Sequence, residues 1–178
     1  MEVRKLHTID EILALPEGKR AELIDGVWFD MSAPTREHQD ISMGISNSIY
    51  NYIRENKGEC KVYAAPFAVY LSNDDHNYVE PDVIIVCDEK KLDDKGCHGA
   101  PDMIVEIVSE SSIQNDYMRK MFKYGESGVR LYWIVDPLRQ SVRTYDFVNE
   151  MTYDFSFEDK VPVEIFDSLQ IRVSDYLT

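Results

Sequence analysis

Glu106 stands inside the run Met103-Ile104-Val105-Glu106-Ile107-Val108, in which every neighbour is apolar. A segment of that composition belongs in a core, and an ionised carboxylate left there without a partner costs several kcal/mol. Asp82 opens a second run of this kind, Val83-Ile84-Ile85-Val86. Two carboxylates on neighbouring buried strands repel one another unless a cation lies between them, and a hard divalent ion with oxygen ligands, Mg²⁺ or Mn²⁺, suits that task. Asp116, Lys120 and Tyr124 follow at four-residue spacing, which on an α-helix puts them along one face. That helix directly follows the Glu106 strand, so its lysine can reach the carboxylates and orient or deprotonate a water beside a metal. The plainer reading of the same residues is structural: a buried salt bridge for Glu106 and an ordinary i,i+4 ion pair on the helix.

The elements that must position these groups follow from pattern. Thr8-x-x-Glu11 has the form of a capping box, and Pro16 closes a short first helix. Asp25-Gly26 between Glu22-Leu23-Ile24 and Val27-Trp28-Phe29 predicts a tight hairpin. After Thr35, Ile41, Ile45, Ile49 and Ile53 recur every four residues as the stripe of a long helix that Gly58 is placed to cap. Lys61 to Tyr63, Phe67 to Leu71, Val83 to Cys87 and Met103 to Val108 are predicted strands. A second helix is predicted from about Ser112 to Ser127, stopped by Gly128, with a buried strand from Leu131 to Val135 after it. Val142, Thr144, Phe147 and Tyr153, Phe155, Phe157 alternate about Asn149 as a C-terminal hairpin, and a short last helix is expected near Tyr176. With no repeat or linker, residues 1–178 read as one domain.

Composition narrows the function classes. A chain of 178 residues buries roughly 70% of its unfolded surface, so it needs no covalent staples. Cys60, Cys87 and Cys97 are odd in number and form no Cys-x-x-Cys pair, and no charged-then-apolar leader opens the sequence, which fits thiols in a reducing cytoplasm. No apolar run approaches the roughly 20 residues of a membrane span. The 33 acidic against 19 basic side chains give a net charge of −14, which argues against tight non-specific binding to nucleic acid unless positive charge is locally concentrated. It leaves room for a nuclease whose acidic site is neutralised by a divalent metal. Nucleotide-binding glycine loops and the Gly-x-Ser-x-Gly elbow are absent, and Cys87, Cys97 and His98 lack the four ligands of structural zinc.

In order along the chain stand Glu22-Leu23-Ile24-Asp25-Gly26, His38-Gln39, Glu80-Pro81-Asp82, Gly99 through Ser109, Asp116 with Lys120 and Tyr124, and Gly128-Val129 leading into Tyr132-Trp133-Ile134-Val135-Asp136-Pro137. As an ordered set, from about Thr8 to Leu177, they resemble the Uma-two family of restriction-endonuclease-like proteins. The resemblance implies an α/β fold of PD-(D/E)xK type, a mixed sheet of four or five strands flanked by helices, with N-terminal and C-terminal β-hairpins. Asp82 would match the first metal-binding acid and Glu106 the acid of the second motif. Val108 stands where the motif's lysine ordinarily lies; the family's lysine sits on the following helix, which falls on Lys120. Glu22 and His38 match further family positions, and with Asp116 they are accessory candidates.

The implied activity is hydrolysis of DNA by a Mg²⁺- or Mn²⁺-dependent endonuclease. In it Asp82, Glu106 and the backbone carbonyl of Ile107 hold the metal and Lys120 positions the attacking water. The alternative is a non-catalytic nucleic-acid-binding or assembly module that keeps the fold. A homodimer through the aromatic C-terminal hairpin is expected of a single-site nuclease that must cut two strands. Without metal, Asp82 and Glu106 should repel each other, so neutralising Glu106 should not harm folding.

Overall fold

The computed structural model describes residues 5–109 and 115–177, with side chains for all of these except 115–117. The capping box at Thr8 starts α1 (Ile9–Leu13), and β1 (Ala21–Ile24) and β2 (Val27–Asp30) form the hairpin about Asp25-Gly26. The long helix α2 (Arg36–Glu55) is followed by β3 (Lys61–Ala64), β4 (Val69–Tyr70), β5 (Tyr78–Val79) and β6 (Val83–Val86). Next come β7 (Leu92–Asp93), β8 (Gly96–His98) and β9 (Met103–Ile107), then a π-helix (Asn115–Lys120) that runs into α3 (Met121–Ser127). The chain ends with β10 (Leu131–Asp136), β11 (Ser141–Asp146), β12 (Met151–Ser156), β13 (Val161–Pro162), β14 (Gln170–Ile171) and a 3₁₀ turn at Val173–Tyr176.

The strands make two six-stranded sheets, β2-β1-β5-β4-β8-β7 and β12-β11-β10-β9-β6-β3, with β13 and β14 as a separate pair. The second sheet is mixed: β9 and β10 run parallel, and its other neighbours are antiparallel. A parallel pair needs a crossover, and the π-helix with α3 lies in it.

Strand alternation then sorts the core. Val83, Ile85, Met103, Val105, Ile107, Trp133 and Val135 face α2, whose stripe of Ile41, Ile45, Ile49 and Ile53 is buried against them. Each such isoleucine contributes about 1.5–3 kcal/mol by burial. Ile84, Val86, Ile104, Val108, Tyr132 and Ile134 face the other way, onto Ile24, Val69 and Val79 of the first sheet and onto Tyr124 of α3. Even-numbered positions of β6 and β9 thus look into the space between the sheets, and Asp82 and Glu106 share that parity.

Several expectations are corrected. Four or five strands become two larger sheets, because β5, β7 and β8 are only two or three residues long and leave no periodicity to read, while the strand expected at Phe67 to Leu71 is present as the two-residue β4. The helix expected from Ser112 is π-helical over Asn115–Lys120 and α-helical only from Met121; residues 110–114 lie outside the described residues. Gly128 does supply the left-handed cap after it, at φ 95°. Helix α2 has Asn56 at its C-cap, and Gly58 closes the turn by donating its N–H to the Ile53 carbonyl at 2.8 Å.

Cys60 and Cys87 are disulfide-bonded, while Cys97 is a buried free thiol. The antiparallel register of β3 on β6, Lys61 opposite Val86, carries these two cysteines to the next cross-strand position although 27 residues separate them. The inference of a reducing compartment rested on unpaired cysteines and loses that support. No described helix is long and apolar enough to cross a membrane.

The last turn packs on α2 through Tyr176, whose hydroxyl lies 2.6 Å from Ser48 Oγ. A Cβ at Gly44 would sit 2.2 Å from the Tyr176 ring. Alanine gains up to about 1 kcal/mol of helix propensity, but overpacking costs about 1–3 kcal/mol, and the tethered ring has little room to yield. Gly44→Ala should therefore lose about 1–2 kcal/mol in urea unfolding; a midpoint at or above wild type would show that the C-terminal turn does not dock there.

Candidate functional site

Between the sheets, Lys120 Nζ lies 2.9 Å from Glu22 Oε2 on β1 and 2.9 Å from Glu106 Oε1 on β9. All three side chains are under a tenth exposed. Tyr124, one helical turn on from Lys120 and fully buried, donates its hydroxyl to the same Glu106 oxygen at 2.7 Å. Burial, with the Glu106 charge second, pushes the Tyr124 phenol well above its ordinary range, so it remains a donor at neutral pH. The other oxygen of Glu22 accepts the Glu80 backbone N–H at 2.9 Å. One ammonium therefore joins the two sheets through two carboxylates.

Asp82 sits at the lip of this centre. Its Oδ2 accepts the Ile107 N–H at 2.7 Å and lies 3.1 Å from His38 Nε2. His38 is in the first turn of α2, where its own N–H is taken by the capping Thr35 hydroxyl. Val83 pairs with Val105, so Asp82 and Glu106 occupy the next cross-strand place. The group that Ile107 presents to Asp82 is its amide; a strand residue's N–H and C=O point to the same edge, so the carbonyl faces that way as well.

The sequence-predicted residues Glu22, Glu106 and Lys120 thus meet directly, and Asp82 with His38 forms an adjacent pair. The side chain of Asp116 lies outside the described residues, and the four-residue spacing that aligned it with Lys120 does not hold along a π-helix. Lys123 lies apart, paired with Asp25 and 3.7 Å from Glu126. Two residues named in the sequence pattern were given no role there. Glu80 orders Glu22 through its backbone, and Tyr124 bonds Glu106; the hints of the latter were its place four residues after Lys120 and its membership in the ordered family set.

The oxygen donors of Asp82 and Glu106 are of the kind that hold Mg²⁺. As arranged, however, Glu106 is engaged by Lys120 and Tyr124 and Asp82 by His38, and among the described residues no three His, Cys, Asp or Glu side chains form a group able to hold a metal ion. This arrangement does not fit a metal centre. The expectation that Asp82 and Glu106 repel each other without one is also corrected, because Lys120 supplies Glu106 with a counter-charge from the protein itself.

A model of the Uma2 family, described as "Putative restriction endonuclease", matches residues 9–174. Among solved structures, that of "a putative nuclease belonging to DUF820" from Anabaena variabilis superposes with a TM-score of 0.76 at 24% identity, over 95% of this chain and 96% of that one. At that identity the likeness establishes the fold: the mixed α/β restriction-endonuclease-like fold, sheets flanked by helices. No curated protein matches.

Removing the ammonium leaves two buried carboxylates without their shared partner. Lys120→Met should cost about 3–5 kcal/mol in urea unfolding, and Tyr124→Phe, which removes one bond to a charged acceptor, about 1–3 kcal/mol. Glu106→Gln should now melt lower than wild type. Wild-type stability in Lys120→Met would mean that water, not lysine, compensates these acids.

Proposed function

Because the chain belongs to the Uma2 family of restriction-endonuclease-like proteins, we propose that it is a nucleic-acid-binding module that keeps the nuclease fold and whose polar centre serves as an ion-pair lock between the two sheets. The observation carrying this reading is the bridging of Glu22 and Glu106 by Lys120, sealed from solvent and completed by Tyr124. A lysine held by two buried carboxylates is not available to position water, and a carboxylate oxygen shared by an ammonium and a phenol has little capacity left for a cation. The net charge of −14 confines binding to a local contact and makes it weak and salt-dependent.

A second reading is the Mg²⁺- or Mn²⁺-dependent DNA endonuclease, with Asp82 and Glu106 as metal ligands and Lys120 beside the water. One observation favours it: Asp82, Glu106 and Lys120 gather at one end of the β6–β9 pair, the carboxylates in adjacent cross-strand places. That reading requires Lys120 to leave at least one carboxylate. A homodimer belongs to either reading. It would rest on β12, the edge of the second sheet, where Met151 and Tyr153 are exposed, since Phe157 lies in the core.

The test combines anisotropy of fluorescein-labelled duplex and single-stranded DNA with nicking of supercoiled plasmid in millimolar MnCl₂. Saturable, salt-sensitive binding is expected, with no more nicking by wild type than by Lys120→Ala. Mn²⁺-dependent nicking by wild type that falls about 100-fold or more in Lys120→Ala, with that variant shown folded by circular dichroism under the assay conditions, would put the endonuclease first.

A further inference from the structure

We propose that Arg20 is the phosphate-contacting residue of this chain, an arginine fork pre-set beside the polar centre by Glu80 and Tyr78. The proposal rests on the nucleic-acid-binding reading and names the residue and the chemical group through which binding occurs.

Arg20 lies just before β1, and its carbonyl accepts the Met31 N–H at 3.0 Å, which extends the β1–β2 ladder one step past Ala21. Strand alternation therefore sends the Arg20 and Glu22 side chains out of the same face, two residues apart. Glu80 connects them: its backbone N–H holds Glu22, and its side chain holds Arg20. Glu80 Oε2 accepts Arg20 Nε at 2.8 Å and also Arg20 Nη2, while Glu80 Oε1 accepts the Tyr78 hydroxyl at 2.8 Å. Burial, helped by the Glu80 charge, pushes the Tyr78 phenol above its ordinary range, so the hydroxyl stays a donor.

The two members of the ion pair differ in exposure. The Glu80 side chain is 11% exposed and both its oxygens are bonded; the Arg20 side chain is 38% exposed, and among the described residues no acceptor is bonded to its Nη1. A guanidinium whose plane is fixed on one edge and open on the other presents paired N–H groups in the geometry that a phosphate accepts. Three cations on the crossover helix are engaged elsewhere, whereas Lys19 and Arg36 are exposed and lack the fixed plane that Glu80 gives Arg20. Lys120 is enclosed by two carboxylates, Lys123 is on Asp25, and Arg119 lies 4.9 Å over the Phe29 ring.

The experiment measures the affinity of fluorescein-labelled duplex DNA as a function of KCl concentration. Each phosphate contact contributes about 0.9 to the slope of log affinity against log salt. Arg20→Gln should lower affinity at low salt about 5- to 10-fold and reduce the slope by about one. Arg20→Lys should keep the slope, because the charge remains, yet recover only part of the affinity, because the fork is lost. Lys57→Gln, at the far end of α2 and about 30 Å along that helix from His38, should leave both unchanged. If Arg20→Gln unfolds, Arg20→Lys carries the test: affinity equal to wild type would overturn the phosphate fork. Wild-type affinity and slope in Arg20→Gln, or an equal change in Lys57→Gln, would overturn the anchor and leave the binding reading standing. Absence of wild-type binding to duplex or single-stranded DNA would overturn the binding reading, and the anchor with it.

Discussion

A carboxylate in the middle of a buried strand must be compensated, and here compensation comes from a lysine on the crossover helix. Lys120 reaches Glu106 on β9 and Glu22 on β1, which lie in different sheets. That ammonium ties the crossover helix to both sheets beside their shared apolar layer, and Tyr124 of α3 is buried against the same Glu106. The π-helix before it fits the same requirement. A π turn shifts the phase of the side chains that follow, and such segments recur at functional sites; this one ends at Lys120, after which Lys120 and Tyr124 converge on one Glu106 oxygen.

The lock and the rim divide the electrostatics of an acidic chain. Inside, one ammonium is shared by two carboxylates, Lys120 between Glu22 and Glu106, and Asp82 lies beside His38, so the centre keeps a net negative charge. At the rim, Arg20 is held by an acid more deeply buried than itself. A net charge of −14 repels a polyanion at long range, so the proposed binding would have to be made by a few oriented donors. A fork whose plane is already fixed loses less freedom on binding than a mobile lysine does.

Much of this was legible in residue pattern, and the gaps have physical causes. Glu106 and Asp82 stood out because each interrupts or opens an apolar run. Lys120 stood out through its spacing and family resemblance, and Gly128 through the stop it imposes. Burial of Glu22 depends on the pairing of β1 with β5, and β5 has only two residues, too few to announce itself. The Cys60–Cys87 bond follows from a cross-strand register formed at long range, while the sequence offers only separated cysteines. The π-helix is invisible to an argument built on 3.6 residues per turn. The Arg20–Glu80 pair joins residues 60 apart through an ordinary-looking Arg and an ordinary-looking Glu.

Lys120 supplies the buried acids with a counter-charge from the protein itself, and the proposed lock needs no divalent ion. The most direct measurement is an anomalous difference map from a crystal grown in millimolar MnCl₂. A protein-compensated lock predicts Lys120 Nζ within hydrogen-bond distance of both Glu22 and Glu106, with no manganese peak between Asp82 and Glu106. A manganese peak bridging those two carboxylates, with Lys120 moved off Glu106, would contradict it.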